Sequence, residues 1–220
     1  MVRDNLIMEF DCKAMAPKDN YKLLISLVVP RPIALVTTVN ESGSLNAAPF
    51  SFFNAMGYNP PIIALGIESR PDGAHKDTAA NIRRTAEFVV NLVDEPLAEQ
   101  MNICAIDFPA GRDEIEEAKL ETVPSVDVAP PRIAAAPAGL ECKRSVTLEI
   151  HDGRHLIVGE ILRMHVRDGA VDPESLRVDL DRLGQIGRLM GAGYTRISDR
   201  FEMPRISVAA WDERKRKERS

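Results

Sequence analysis

Two short runs carry residue types from which a ligand site can be built. One is Asn46-Ala47-Ala48-Pro49-Phe50-Ser51-Phe52-Phe53-Asn54. The other, 25 positions beyond Ser51, is Lys76-Asp77-Thr78-Ala79-Ala80-Asn81. In the second run a cation precedes a helix-starting pattern. Asp77 is a favoured N-cap residue. The free N–H groups of a first turn carry the positive end of the helix dipole, and an anion binds well there. Lys76 adds a full charge and Thr78 a hydroxyl donor. Arg70, just upstream, adds a second cation able to fork onto a phosphate.

The first run suits a flat ligand. In a strand, Ala48, Phe50 and Phe52 point one way and Pro49, Ser51 and Phe53 the other. One face can enter a core while the other offers Ser51. Pro49 cannot donate to a sheet ladder, so the strand belongs at an edge or a bend. There, backbone N–H and C=O groups are free to read the polar rim of a ring. Each run also has a plain reading, a capped surface helix and an ordinary core strand. Together they describe two ends of one ligand, a ring and a phosphate, hence a phosphorylated aromatic cofactor.

The elements that must position these runs are short and mostly extended. Asp19 is predicted to cap a helix over Tyr21–Val28, which Pro30 ends. Ile33–Val39 and Leu45–Phe53 form a hairpin around Asn40-Glu41-Ser42-Gly43. Ile62–Ile67 and Glu87–Val93 are further strands, separated by a helix over Thr78–Thr85. Glu95–Cys104 and Asp113–Lys119 are helical. Prolines and alanines between Val123 and Pro137 make an extended connector. Leu140–Ile150 and His155–Val166 form a second hairpin across His151-Asp152-Gly153-Arg154. Asp179–Met190 is helical until Gly191. The fold expected is mainly β with helical additions, a barrel type rather than a doubly wound sheet. Residues 1–18 form an arm, 19–206 one domain and 207–220 a basic tail.

Composition bounds the function. The 220 residues suffice for one core. A formal net charge of −5 argues against a nucleic-acid or membrane-surface binder. No apolar run approaches the roughly 20 residues of a membrane span. Cys12, Cys104 and Cys142 stand singly, as small buried hydrophobes in a reducing, cytoplasmic setting. His151 and His155 fall on a solvated hairpin end rather than on a metal. His75 is an exposed loop residue or a neighbour of the phosphate, and His165 is structural. Trp211 docks the tail, whose basic residues make a solvated end.

The motifs resemble the flavin reductase-like branch of the FMN-binding split-barrel family. The matching residues are Arg31-Pro32 with Thr37-Thr38, Asn46-x-Ala48-Pro49-Phe50-Ser51, and Asn59-Pro60-Pro61. They continue through Lys76-Asp77-Thr78-x-x-Asn81-Ile82 and Glu87-Phe88-Val89-Val90-Asn91. Looser echoes are His155–Gly159-Glu160 and Arg188-x-x-Gly191-x-x-Tyr194. The resemblance implies a six-stranded split β-barrel and a homodimer with FMN near the subunit interface. It implies electrons from NADH or NADPH, passed to free flavin, an oxygenase partner or another acceptor. Carried onto this chain, Asn46, Ala48, Pro49, Phe50, Ser51 and Phe52 line the ring and ribityl chain. Lys76, Asp77 and Thr78 hold the phosphate, with Asn81 in support. Arg188 and Tyr194 approach the flavin or the partner subunit. No side chain is assigned as general acid or base, because the flavin carries the redox chemistry. The alternative is a module that stores or senses FMN without nicotinamide turnover.

Overall fold

The structure is a computed structural model that describes residues 7–109, 112–151 and 153–217. In chain order, helix α1 (Pro17–Leu27) leads to β1 (Arg31–Pro32), β2 (Ala34–Val39), β3 (Leu45–Phe50), β4 (Phe53–Tyr58) and β5 (Pro61–Glu68). Helix α2 (Asp77–Thr85) and β6 (Glu87–Leu92) follow. Short helices α3 (Ala98–Ile103) and α4 (Glu114–Glu117) precede β7 (Thr122–Val123), β8 (Arg132–Ile133) and two long strands, β9 (Ala138–Glu149) and β10 (Arg154–Val166). The chain continues through α5 (Leu180–Leu183), β11 (Ile186–Arg188), β12 (Tyr194–Arg196) and α6 (Val208–Lys217).

Seven of these strands form one antiparallel sheet, in the order β3-β2-β6-β9-β10-β5-β4. The sheet curls into a split β-barrel. Irregular register at Val158/Gly159 and Ile161/Arg163 bends the long hairpin. Gly159 allows this curvature: a Cβ there would lie 2.6 Å from the Phe88 ring. The count is seven strands where six were expected. Pro49 lies on β3, at one end of the sheet, as its missing N–H requires.

β2 is buried on both faces because two cores meet on it. Ala34 and Val36 join Ile63, Leu65, Ile67, Phe88 and Ile157 inside the barrel, where Ala79 and Ile82 of α2 plug one end. Leu35, with Ala47 of β3, packs outward against Leu97, Met101 and Ile115 around α3 and α4. Each fully buried Leu, Ile or Phe contributes roughly 1.5–3 kcal/mol, so β2 and β3, which carry the proposed ring segment, sit on a stiff support.

Several expectations need correction. α1 starts at Pro17 rather than after Asp19, because proline's missing N–H and fixed φ suit the first helical position. The connector after Val123 is not merely extended, since β7 and β8 pair within it. The helix expected over 179–190 stops at Leu183, where Gly184 adopts φ 61°, and the chain turns into β11. The basic tail is helical over Val208–Lys217 and buries none of its residues. Trp211 faces Lys215 of its own helix, with Nζ 5.3 Å from the ring centroid. Asp152, in the predicted hairpin turn, lies outside the described residues.

Candidate functional site

A cleft joins the two runs. It is lined by Asn46, Ala48, Pro49 and Phe50 on one side, and by Arg70, Lys76, Asp77 and Thr78 on the other. The loop from Cys104 to Phe108, with Glu114, closes its third side.

The helix end differs from the expected cap. Lys76, not Asp77, is the N-cap residue, and no side chain caps α2. The Asp77 carboxylate instead takes two bonds from Arg70 Nη2, both at 2.8 Å. Drawing that carboxylate aside leaves the first-turn N–H groups without a side-chain acceptor. Arg70 therefore orients Asp77 through one nitrogen rather than standing as a free second cation.

Behind the cleft lies a buried polar network. Asn46 Nδ2 donates to Thr38 Oγ1 at 3.2 Å and to Thr78 Oγ1 at 3.0 Å. Asn81 Nδ2 donates to Thr38 Oγ1 at 3.0 Å and to Asn40 Oδ1 at 2.8 Å. Asn46, Thr78 and Asn81 are all buried. Asn81 thus pins α2 to β2 from behind. Thr78 receives a hydrogen bond from Asn46, which leaves its own hydroxyl proton to donate.

The ring segment is held differently. β3 ends at Phe50, and Ser51 and Phe52 form a bend before β4. The Phe52 carbonyl accepts from Gly66 N at 2.7 Å, tying the bend to β5. Arg31, 6% exposed, anchors the bend from below. Its Nη1 donates to the carbonyls of Ile25 (2.6 Å) and Val28 (2.9 Å), its Nη2 to Leu189 O (3.1 Å) and its Nε to Ser51 Oγ (3.3 Å). α1 has no basic residue in its last turn, so Arg31 caps that negative helix end from outside.

Phe52 lies beyond the cleft, against α1, with its ring 6.5 Å from that of Tyr21. Arg188 and Tyr194 pair across β11 and β12, and the guanidinium lies 4.5 Å from the tyrosine ring centroid. Neither lines the α2 cleft, but β11 pairs with β1, where Arg188 stands opposite Arg31. The structure therefore brings Asn46, Ala48, Pro49, Phe50, Arg70, Lys76, Asp77 and Thr78 together. It sets Asn81 behind them and the others around Arg31.

Glu114 escaped the sequence reading. Its Oε2 accepts from Ala47 N at 3.4 Å, and burial, reinforced by nearby Asp113 and Asp77, raises its pKa. A carboxyl on the cleft wall carries no spacing signal, because its loop reaches β3 only in three dimensions. Cys104 is inert there, its thiol pushed up to about 12 by burial and by Glu114 and Asp113. Cys142 is also buried, whereas Cys12 is exposed, against expectation.

The histidines also depart from the expected pattern. His155 is not solvated but 2% exposed. Its Nε2 lies 3.0 Å from Ser69 Oγ and 3.1 Å from His75 Nδ1, and its Nδ1 lies 3.2 Å from Arg83 Nη2. Burial first, then His75 and Arg83, lower its pKa, so it is neutral. Ligand atoms of His75, His155 and Glu149 fall within 4.8 Å of one another. Arg83 donates to Glu149 and approaches His155, so a cation would have to displace a guanidinium. The cluster is a hydrogen-bonded anchor for the loop 69–76. His165 is structural, with Nε2 2.5 Å from Oε1 of the buried Glu141.

Known proteins give the arrangement its context. The flavin reductase like domain matches residues 26–183. An uncharacterized protein of Deinococcus radiodurans is 44% identical over 210 residues, covering 93% of this chain and 92% of its own. Among solved structures, Pseudomonas fluorescens 2-nitrobenzoate 2-nitroreductase NbaA is 37% identical with a TM-score of 0.84, covering 91% of this chain and 98% of its own. Nitrilotriacetate monooxygenase component B from Bacillus cereus is 33% identical with a TM-score of 0.85, covering 90% of this chain and all of its own. With the barrel, the cleft and this extent of matching together, the chain belongs to the flavin reductase-like family of split-barrel proteins.

Proposed function

We propose that this flavin reductase-family protein binds FMN in the α2 cleft and passes a hydride from NADH or NADPH to it. The observation that carries this reading is the N-terminus of α2 without a side-chain cap, with Lys76 at its N-cap position and the ring-accommodating β3 across the cleft. A phosphate fits that donor set: outward N–H groups, an ammonium and the Thr78 hydroxyl. The small side chain of Ala48 leaves β3 open to close approach by a flat ring. When bound, the flavin supplies hydride chemistry, and the protein supplies position and exclusion of water. Arg31 fixes the bend at Ser51, and the Asn46–Thr38–Asn81 network fixes the phosphate end.

The electron acceptor is free flavin, an oxygenase partner or a small organic oxidant. The relatives named above span the last two. A homodimer completes the reading. Met56 and Tyr58 of the edge strand β4 are 58% and 93% exposed and leave that edge apolar. Such an edge is normally covered, here by a second copy. Three unpaired cysteines suit a reducing cytoplasm. No described helix is long and apolar enough to cross a membrane.

Two experiments test the reading. Purified protein is titrated with FMN and its visible spectrum followed; absence of binding overturns the proposal. The complex is then mixed anaerobically with NADH and with NADPH. Bleaching of bound flavin is expected with at least one. Flavin that stays oxidised with both would make the protein a store or sensor of FMN.

A further inference from the structure

The α2 cleft carries one carboxyl too many for a phosphate. Among the described residues its charged lining is two cations, Arg70 and Lys76, and three carboxyls, Asp77, Asp107 and Glu114. With all of them ionised, these side chains sum to a charge of −1. A phosphate monoester brings a further charge of about −1.5 to −2 at pH 7. The partial charge at the helix end, roughly +0.5, offsets this only in part. The three carboxyls are not equivalent. Asp77 is held by Arg70 through two bonds. Asp107 is exposed, so water and salt screen it. Glu114 is half-buried and has no cation partner among the described residues. Its Oε2 accepts one long bond from Ala47 N, at 3.4 Å, and its Oε1 bonds none of the described residues.

The groups around Glu114 favour its neutral form. β3, on which α4 packs, brings no charge. Burial first, then Asp113 of its own N-cap and Asp77 of α2, raise its pKa against the backbone bonds that lower it. The Cys104 thiol stays neutral, and Arg112 pairs with Glu117. Lys76 is the cation that the phosphate itself takes. We propose that Glu114 takes up a proton as FMN binds and, as a neutral carboxylic acid, donates its O–H to the phosphate, a proposal that rests on the flavin reading above. The proton comes from solvent and joins a carboxylate oxygen, and no bond of the flavin changes. Oε2 stays the acceptor for Ala47 N, which leaves Oε1 to carry the proton. The side chain thereby turns from an anion facing an anion into a donor of a charge-assisted bond. Binding raises the affinity of Glu114 for its proton, so by linkage FMN is held less tightly as pH rises. Riboflavin, without the phosphate, gives Glu114 no such cause to change its charge.

The test counts protons. The full-length protein is titrated with FMN and with riboflavin by calorimetry at pH 7.5, in buffers of different ionisation enthalpy. That pH lies above the range in which His155 takes up its proton. Glu114→Gln keeps the acceptor for Ala47 N and supplies an N–H donor, but it cannot take up a proton. Wild type should gain at least about 0.3 proton more per FMN bound than Glu114→Gln does. The phosphate's own proton is common to both proteins and cancels. With riboflavin the two proteins should give the same count. Glu114→Gln should bind FMN at least as tightly as wild type, with an affinity that changes less between pH 7 and 8.5. Wild type also carries a test of its own, in case the variant fails to fold: in infrared difference spectra a protonated-carboxyl C=O band should appear with FMN and not with riboflavin. Equal proton counts in the two proteins, weaker FMN binding by Glu114→Gln, or absence of that band overturns the proposal. Wild type that binds no FMN overturns the flavin reading and this proposal with it. Wild type that binds FMN without the extra proton overturns this proposal alone.

Discussion

The two ends of the proposed flavin site are held by opposite strategies. At the phosphate end, short neutral side chains on adjacent elements, Thr38, Asn46, Thr78 and Asn81, bond one another in a buried lattice. At the ring end, a single buried guanidinium gathers α1, β1, the bend at Ser51 and the loop at Leu189. The first end has several attachments, so losing one is graded. The second has one hub, so its loss is felt in four places. The difference predicts where the molecule is brittle.

Arg31→Met breaks the comparison most severely. Three carbonyls and a hydroxyl lose their donor, and an uncapped helix end remains under α1. Charge-assisted bonds are worth about 1.5–3 kcal/mol each, and solvent rescues some of the acceptors. A loss of about 3 kcal/mol or more is expected in urea unfolding, with m unchanged. A loss under about 1 kcal/mol would mean that α1 and the bend do not depend on their shared anchor.

Lys76→Ala acts on the ligand alone. One charge-assisted contact should disappear, weakening FMN by roughly 1.5–3 kcal/mol, about 10- to 150-fold. Riboflavin, without the phosphate, should bind the variant and the wild type alike. Equal losses for both ligands would move the phosphate away from α2. Asn81→Ala sits one step back, losing bonds to Thr38 and Asn40. It should cost about 1–2 kcal/mol of stability, since two neutral bonds disappear and a hydroxyl keeps a second partner in Asn46. Thermal unfolding with and without FMN separates that cost from binding.

The same contrast explains what was legible in the sequence. The phosphate end is local, and Lys76-Asp77-Thr78 and Asn46–Phe50 could be picked out by residue type. Pro49 even placed its strand at the sheet end. The detail of Asp77 was not legible, because Arg70 competes for its carboxylate and wins with two contacts. The start of α1 and the end of the helix after Asp179 were decided locally instead, by Pro17 at the first helical position and by Gly184 in the left-handed region. The ring end was visible only as the dipeptide Arg31-Pro32. That one side chain reaches residues 25, 28, 51 and 189 is a fact of three dimensions. Glu114 was missed and His155 misread for the same reason: a titratable group's burial depends on distant segments.

His155 gives the finest test, because it anchors the loop carrying Arg70 and Lys76 without touching the cleft. Its imidazole is neutral, wedged between Ser69, His75 of the loop and Arg83 of α2, with Glu149 of β9 the one opposing charge. Burial, His75 and Arg83 outweigh Glu149 and depress its pKa below the ordinary 6.5. The unfolded chain therefore binds this proton more readily than the folded one. The stabilisation is complete above pH 6.5 and is lost as pH falls through the lower folded value. One group can give a slope of at most about 1.4 kcal/mol per pH unit. His155→Gln keeps a polar contact to Ser69 but cannot titrate in this range, so it should flatten the acid limb of stability below about pH 6.5. In wild type, FMN affinity should fall over the same limb as protonation repels Arg83 and loosens the loop. An unchanged acid limb in the variant would show that the loop is held by Ser69 and Gly153 backbone bonding instead, through Ser69 N to Gly153 O at 2.7 Å.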